Sequence, residues 1–568
     1  MFKYLPTKSL TDERKKVFKK ILLLIIVIWQ TLFALSYDSQ NIQWRLNNGN
    51  TLIIYPDTSH GPKYFSYSAI VLKGKIVTMD KNEAGEIKVI DNGRLVIAGE
   101  RIAGVLSPKD PLPEFIDSAD AIFFDTDGII FPGLINAHDH VHYNCIPLWD
   151  VPKLYTNRYQ WGDDKSHITD VKYPHRIISE RKYFGLETES IKYGEVKQIV
   201  SGTTSVQGSP NGSKKFCSIL VRNMDVSPNF GKDRMSSYVR PIKDVTNEKA
   251  EKWIAKMNSG ELEAIFFHIA EGTDEKARAE FTRLVKLGLG RKESIIIHGT
   301  ALKEPEIKYM AEHQMTLVWS PTSNLLLYGT TADIPTFKRY GVNIALGTDW
   351  SPSGGKNLLC EMKIAYNYAR SKWGDVLTYR DIVEMVTVNP ARAVGWSEYV
   401  GRLKPGFYAD LVVIRDPGGD PFEALVNATE RDVKLVFVGG NPLYGDCEYL
   451  RQLKPGDFEY IVTPCGFTKC IDITSEDVEL GNELLKSIVD TLQLALNWDT
   501  TFMKTVFRDE NIKKYKSFAE YLSNEFPGYH PIMLDPIYSS GDQYFFFILS
   551  TSKNARLDFD LQFMYYNW

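Results

Sequence analysis

Cysteine and histidine are both scarce in this 568-residue chain, with six cysteines (145, 217, 360, 447, 465 and 470) and ten histidines. Six scattered cysteines exclude a disulfide scaffold, and no two pairs have zinc-finger spacing. Cys465 and Cys470 are close enough in sequence to bridge in an exported protein, whereas Cys145, Cys217 and Cys360 read as buried packing. Charge of one sign is lacking too. A formal net charge of -4, with 24% charged and 43% hydrophobic residues, gives no footing for a polyanionic partner, so no nucleic acid binding is expected. The chain also lacks an internal repeat of fixed period and any long low-complexity stretch.

Long apolar runs are missing with one exception. Arg14, Lys15, Lys16, Lys19 and Lys20 lead into an apolar run at 21–28 that continues, interrupted by Gln30 and Thr31, to Leu35. A basic start, about 15 apolar positions and the small-x-small step Ala34-Leu35-Ser36 fit a secretory signal over residues 1–36 better than a full membrane span, which takes roughly 20 residues. An uncleaved membrane anchor is the alternative. The expectation is a protein exported, or associated with a membrane, through its N-terminal segment.

A chain of this length exceeds what one hydrophobic core usually serves, so a large domain with smaller modules is expected. Short β-rich runs at 69–72, 75–78, 94–98 and 102–106 are separated by Gly and Asp turns, and a matching set recurs at 410–414 and 434–438. Two distant segments, 66–126 and 396–450, are therefore expected to build one composite β-sandwich module. Between them, over 127–395, strand-like runs at 129–137, 203–207, 264–267, 294–297, 316–319 and 342–346 alternate with helix-length patterns. Such alternation implies an α/β domain with a parallel sheet and helices outside. Polar residues recur at the ends of successive strands, which favours a (β/α)8 TIM-type barrel over an open sheet. From 451 to 568 the alternation is lost. This C-terminal extension has helical spacing at 475–496 and a strand-like run at 544–549, and nothing in it discloses a role.

The sharpest cluster is Phe131-Pro-Gly-Leu-Ile-Asn-Ala-His-Asp-His140. Residues two apart in a strand share a face, so His138 and His140 can grip one cation while Asp139 faces away. In Phe266-Phe-His-Ile-Ala-Glu271 a histidine ends another apolar strand, offering His268 as a third ligand and Glu271 as a proton carrier. His298 closes Ser294-Ile-Ile-Ile-His298, and Asp349 follows the strand and tight turn of Ile344-Ala-Leu-Gly-Thr-Asp349. Each motif alone is explicable as packing or turn chemistry. Four strands ending in ligand-type side chains point instead to a catalytic divalent ion held from several elements.

These motifs, in this order, resemble the amidohydrolase superfamily, and within it the deaminase and chlorohydrolase branch that includes the adenosylhomocysteine and cytosine deaminases. The resemblance runs over roughly 66–440 and also takes in Ser320-Pro-Thr-Ser-Asn324, Asn389-Pro-Ala391, Gly401, Gly406 and Ala409-Asp410. It implies that His138, His140, His268 and Asp349 hold one Zn²⁺ or Fe²⁺ with a water whose pKa the ion lowers. It further implies that Asp349 takes the water's proton, Glu271 protonates the leaving nitrogen and His298 polarises the group under attack. The reaction so implied is hydrolysis of a carbon–nitrogen bond other than a peptide bond, by deamination or amide cleavage.

His142, two positions past His140, is not required by the branch pattern and is a candidate for substrate binding or for the metal surroundings. Tyr143, Trp149, Gln207, Tyr328 and Trp350 lie on the expected pocket loops and join it as substrate-binding candidates. Two-metal relatives carry a carbamylated lysine after the fourth strand. Lys243, after Tyr238-Val-Arg-Pro-Ile242, is the matching position, which leaves a two-metal amidase or peptidase as the alternative enzyme. A barrel kept as a non-catalytic scaffold is the alternative from another class. The partner expected is a small-molecule substrate, and a homo-oligomer is compatible with the sequence.

Overall fold

The computed structural model describes residues 43–45, 51–53, 69–210, 217–226, 229–230, 235–454, 456, 458–462, 467–474, 483–497 and 513–539. The chain divides into two compact units, Met1–Asp57 and Thr58–Trp568. In the first, β1 (Gln43–Arg45) pairs antiparallel with β2 (Thr51–Ile53). The apolar run at 21–35, Cys465 and the strand-like run at 544–549 fall outside the described residues.

In the second unit, β3 (Ala69–Lys81), β4 (Ile87–Ala98), β5 (Arg101–Leu106) and β6 (Ala121–Pro132) open the fold. Eight short strands follow: β7 (Leu134–Asn136), β8 (Thr203–Val206), β9 (Arg222–Asn223), β10 (Met235–Tyr238), β11 (Ala264–Ile269), β12 (Ser294–His298), β13 (Thr316–Trp319) and β14 (Asn343–Leu346). The last five are β15 (Leu411–Arg415), β16 (Val433–Val438), β17 (Asn441–Asp446), β18 (Glu459–Val462) and β19 (Thr468–Ile471).

A nine-stranded sheet runs in the order β18-β19-β17-β16-β15-β6-β3-β4-β5. It joins chain segments about three hundred residues apart, because β15 pairs antiparallel with β6 from Leu411↔Pro132 to Arg415↔Gly128. Its strands alternate buried and exposed positions less than a one-sided sheet would; β15, for example, buries Leu411, Val412, Val413 and Ile414 in turn. Cys447 and Cys470 form a disulfide there, so the pairing of Cys470 with Cys465 anticipated from spacing is corrected: Cys470, on β19, lies beside the helix Cys447–Leu453 instead. Cys145, Cys217 and Cys360 are buried.

The remaining strands are parallel throughout, β7-β8-β9 in one sheet and β10-β11-β12-β13-β14 in another, with helices between β7 and β8 and between successive strands from β10 to β14. β12, buried on both sides, carries the continuous apolar run Ile295-Ile296-Ile297. The first and last are bonded to each other: Ala137 N–H donates to Leu346 O at 3.0 Å and Asp349 N–H to His138 O at 3.0 Å. The result is an α/β domain built on parallel sheets. Beyond it, the helix Leu485–Leu496 packs on the helix Glu187–Val200, and Phe526 inserts between Tyr173 and Tyr183, with ring centroids 5.1 and 4.9 Å away.

The expectation of an exported or membrane-anchored protein is corrected. No helix among the described residues is long and apolar enough to cross a membrane, and the segment 1–36 that suggested it is not among them.

Candidate functional site

Parallel β-strands end where their backbone turns away toward a helix, and side chains at those ends converge on one face of the domain. His138 and His140 follow β7, His268 is the penultimate residue of β11, His298 the last of β12, and Asp349 lies three positions past β14. His268 and His298 sit on neighbouring strands in register, with His268 opposite Ile297 and Ile269 opposite His298. His298 and Asp349 both hold left-handed backbone, at φ of 72° and 66°, a conformation that costs a non-glycine residue on the order of 1–3 kcal/mol. Gly347 permits the close approach of β14 to β7: a Cβ there would lie 2.7 Å from His138 Cβ and 2.8 Å from His138 N. Gly208, at φ +123°, does the same on the other side, where a Cβ would fall 1.8 Å from Asp139 O.

One ligand atom from each of His138, His140 and His268 lies within 4.8 Å of the others, a spacing that can hold a metal ion. Asp349 Oδ1 is 3.2 Å from His138 Nε2 and 3.5 Å from His140 Nε2. His138, His298 and Asp349 form a second, overlapping group. The donor chemistry fits a cation. Gln207 Nε2 donates to Asp225 and Ser237, at 3.0 and 2.7 Å, which leaves Gln207 Oε1 to accept from His138 Nδ1 at 2.9 Å and directs the lone pair of His138 Nε2 inward. His138 Nε2 and His268 Nδ1 are buried and make no hydrogen bond among the described residues. Gln207 thus stands behind His138.

The electrostatics keep most of these imidazoles neutral. Burial, with His138 nearby, pushes His140 down to about 3, and burial, His138 and Arg158 put His268 well below its ordinary range. Burial also opposes protonation of His138, but the Asp349 carboxylate and the Gln207 contact outweigh it and hold that ring above its usual value. Asp349 is buried, yet His138, His298 and His140 around it keep its carboxyl well below the usual range, and Ser323 Oγ donates to its Oδ2 at 2.7 Å.

Glu271, 2% exposed, faces the cluster from the loop after β11. Tyr328 O–H donates to its Oε1 at 2.8 Å, Arg158 Nε lies 3.5 Å from Oε2, and His298 Nε2 lies 3.7 Å from the same oxygen. His298 is oriented from behind, its Nδ1 donating to Asn324 Oδ1 at 3.0 Å while Asn324 Nδ2 donates to Thr331. Arg158 is pinned where it is: its N–H donates to Glu271 O at 3.1 Å and its Nη2 to Val239 O at 2.9 Å.

Aromatic side chains line the approach. Trp350 lies 5.7 Å and Tyr143 6.4 Å from the His140 ring, and Tyr143 stacks on His175 at 3.9 Å. His142 is 6.5 Å from His140, packed against Tyr143 and His175, with its Nδ1 buried and unbonded. Trp149 is 2% exposed and donates to Ser166 at 3.1 Å, one layer further out. Lys243 does not reach the cluster: the fourth strand ends at Tyr238, and Lys243 stands exposed in a short turn with Nζ 4.9 Å over the Tyr159 ring. The reading of Lys243 as a bridging ligand is thereby corrected.

Sequence reasoning passed over His167, the contact of Arg158 with Glu271 and the anchoring role of Asp139. Trp161 donates to Tyr328 OH at 2.8 Å, and His167 sits among Trp149, Trp161 and Trp350 at 5.2, 5.0 and 5.9 Å. Asp139, turned from the cluster, accepts from Asn136, Gln198 and Thr348 through Oδ2 and from Asn144 through Oδ1, at 2.8–3.0 Å. Only its place between two ligand histidines, facing the opposite side of the strand, could have signalled it.

Comparison with known proteins points to a hydrolase acting on carbon–nitrogen bonds. Residues 227–443 match the amidohydrolase family. Its curated relatives include the 5-methylthioadenosine/S-adenosylhomocysteine deaminase of Desulfitobacterium hafniense (strain DSM 10664 / DCB-2), 27% identical over 437 residues, a match covering 69% of this chain and 96% of that one. Among solved structures, it is similar in fold to an adenosine deaminase from Xanthomonas campestris with bound zinc, at a TM-score of 0.54 and 20% identity over 68% of this chain and 94% of that one. It is likewise similar in fold to a triazine hydrolase from Arthrobacter aurescens, at a TM-score of 0.53 and 17% identity, with 66% and 94% covered.

Proposed function

We propose that this protein is a one-metal deaminase, removing an amino group from a small heterocyclic amine by hydrolysis. The observation that carries this is the convergence of His138, His140, His268 and Asp349 beside the Glu271 and His298 pair. His138, His140, His268 and Asp349 are the ligands for one divalent ion, which we assign as zinc. Borderline-soft nitrogen donors with one carboxylate suit it, and the zinc bound by the Xanthomonas adenosine deaminase supports the choice. Bound there, the ion would supply a water acidic enough to act as nucleophile near neutral pH.

The protein's own groups then divide the proton transfers. Asp349, kept ionised by the surrounding histidines and oriented by Ser323, accepts the proton of the attacking water. Glu271 carries a proton to the leaving nitrogen, with Tyr328 anchoring Oε1 and Arg158 lying beside Oε2. His298, held by Asn324, points its free nitrogen at the group under attack. Tyr143 and Trp350 offer flat faces to a ring-shaped substrate, with His142 at their edge, and Trp149 supports that wall from behind. The relatives' names favour a purine nucleoside amine over an amide.

We read β7 to β14 as a closed (β/α)8 barrel, which the bonds between its first and last strands support. Residues 66–126 with 396–450 form the composite module beside it, and 451–568 an extension. A two-metal peptidase loses its bridging lysine with Lys243 exposed at a distance, and an intact donor set disfavours a scaffold.

Metal analysis of the purified chain together with an ammonia-release assay on adenosine, 5-methylthioadenosine, guanine and simple amides tests the reading. About one zinc per chain and release from an aminated purine, both lost in His138→Ala, are expected. Two ions per chain, or full hydrolysis by His138→Ala, would overturn it.

A further inference from the structure

Asp535 belongs to the C-terminal segment, outside the 227–443 family match, yet it is 0% exposed and buried beside the loops that carry the metal-ligating candidates. Its two oxygens accept from two buried ammonium groups, Lys197 Nζ on Oδ2 and Lys356 Nζ on Oδ1, whose side chains are 0% and 1% exposed. Its backbone N–H donates to Cys145 O at 3.0 Å, and Tyr193 O–H donates to its carbonyl. From there a continuous chain of bonds leads inward. Lys197 Nζ also donates to Asn144 O at 3.1 Å and Ser351 Oγ at 2.6 Å. Ser351 N–H donates to Asn144 Oδ1 at 3.0 Å, and Asn144 Nδ2 to Asp139 Oδ1 at 2.8 Å. Asp139 lies between His138 and His140, and Ser351 is two residues past Asp349.

Two buried ammonium groups without a counter-charge are strongly disfavoured, and Asp535 sets one carboxylate against both. We propose that Asp535 is a positioning residue for the active site: by holding Lys197 and Lys356, it fixes the loops at 137–151 and 347–357, and through Asn144 and Asp139 the spacing of His138, His140 and Asp349. The C-terminal extension is then a working part of the site. The inference rests on the metal reading above only for its cobalt arm.

The test uses the full-length chain and two variants, Asp535→Asn and Asp535→Asn with Lys356→Met. The net charge of the Lys197, Lys356 and 535 trio is +1 in the parent, +2 in the single variant and +1 again in the double variant. Amide hydrogen exchange is compared at 137–151 and 347–357 and at the remote strands β3 to β5, and Co²⁺ affinity and its visible spectrum are measured in parallel. Asp535→Asn should speed exchange in the two loops about tenfold or more while leaving β3 to β5 unchanged, weaken Co²⁺ binding roughly 10- to 100-fold and alter the spectrum. Adding Lys356→Met should return both readouts toward the parent. Uniformly faster exchange, unchanged loops, or no recovery in the double variant would overturn the proposal, as would failure of both variants to fold. If only the single variant fails to fold, parent-like loops in the double variant support it and fast loops overturn it. A parent that takes up no Co²⁺ defeats the metal assignment instead, and the exchange comparison still decides the role of Asp535.

Discussion

Tyr328 O–H donates to Glu271 Oε1 at 2.8 Å, so that the other oxygen, Oε2, is the one turned toward His298 Nε2 at 3.7 Å. Burial and the neighbouring Glu271 carboxylate hold the Tyr328 phenol well above its ordinary range, which keeps it a donor at every working pH. In the proposed reaction the pair divides one carboxylate into an anchored oxygen and a working oxygen.

Glu271→Gln should lower kcat by about 10²- to 10⁴-fold with metal content unchanged, because it removes proton transfer and leaves the ligands alone. Tyr328→Phe, which removes the anchor and with it the acceptor of Trp161 Nε1, should cost roughly 10- to 100-fold, the worth of a hydrogen bond to a charged group. Steady-state kinetics beside metal analysis checks both, and equal losses in the two variants would contradict the division.

Gln207 offers a separate check on the histidine that it orients. Gln207→Ala leaves His138 Nδ1 without its acceptor at 2.9 Å and should weaken metal affinity by about 10- to 100-fold, with activity recovering at high metal concentration. Competition titration with a chelator measures the loss.

Arg222 and Asp410 make a bidentate pair, Nε to Oδ2 at 2.7 Å and Nη2 to Oδ1 at 3.1 Å, with side chains 1% and 2% exposed. The pair ties β9 to the residue just before β15, and Asp410 Oδ1 also accepts from Gly439 N–H at 2.6 Å. Asp410→Ala removes the bidentate carboxylate from a buried guanidinium and should cost about 3–5 kcal/mol of stability, read by chemical denaturation.

Glu361, 0% exposed, has its carboxyl pushed up to about 8 by burial, against the opposing bonds from Thr322 N–H and O–H at 3.0 and 2.6 Å. Its unfolded value is near 4.5, so between those two pH values the folded chain holds a proton that the unfolded chain has released. Stability from this group is full below about pH 4.5 and is lost as pH rises through about 8, a decline on the order of a few kcal/mol. Glu361→Gln should flatten the fall in melting temperature over that window, and an unchanged slope would refute the assignment.

The local pattern made much of this protein legible. His138, His140, His268, His298 and Asp349 each stand at the end of an apolar run, and a strand's two-residue period alone puts His138 and His140 on one face with Asp139 on the other. The alternation of strands and helices gave the α/β class for the same reason: periodicity is a property of neighbouring residues.

Tertiary structure decided what distance along the chain hides. The partner of Cys470 is Cys447, 23 residues away, and not the nearer Cys465, because bridging follows the approach of β19 to one helix and not spacing. Arg158 meets Glu271, and Asp535 meets Lys197, across 113 and 338 residues. No periodicity carries such pairings. A buried charge must be answered by whichever segment the fold brings to it, and the sequence names the charges without saying which of them will be buried together.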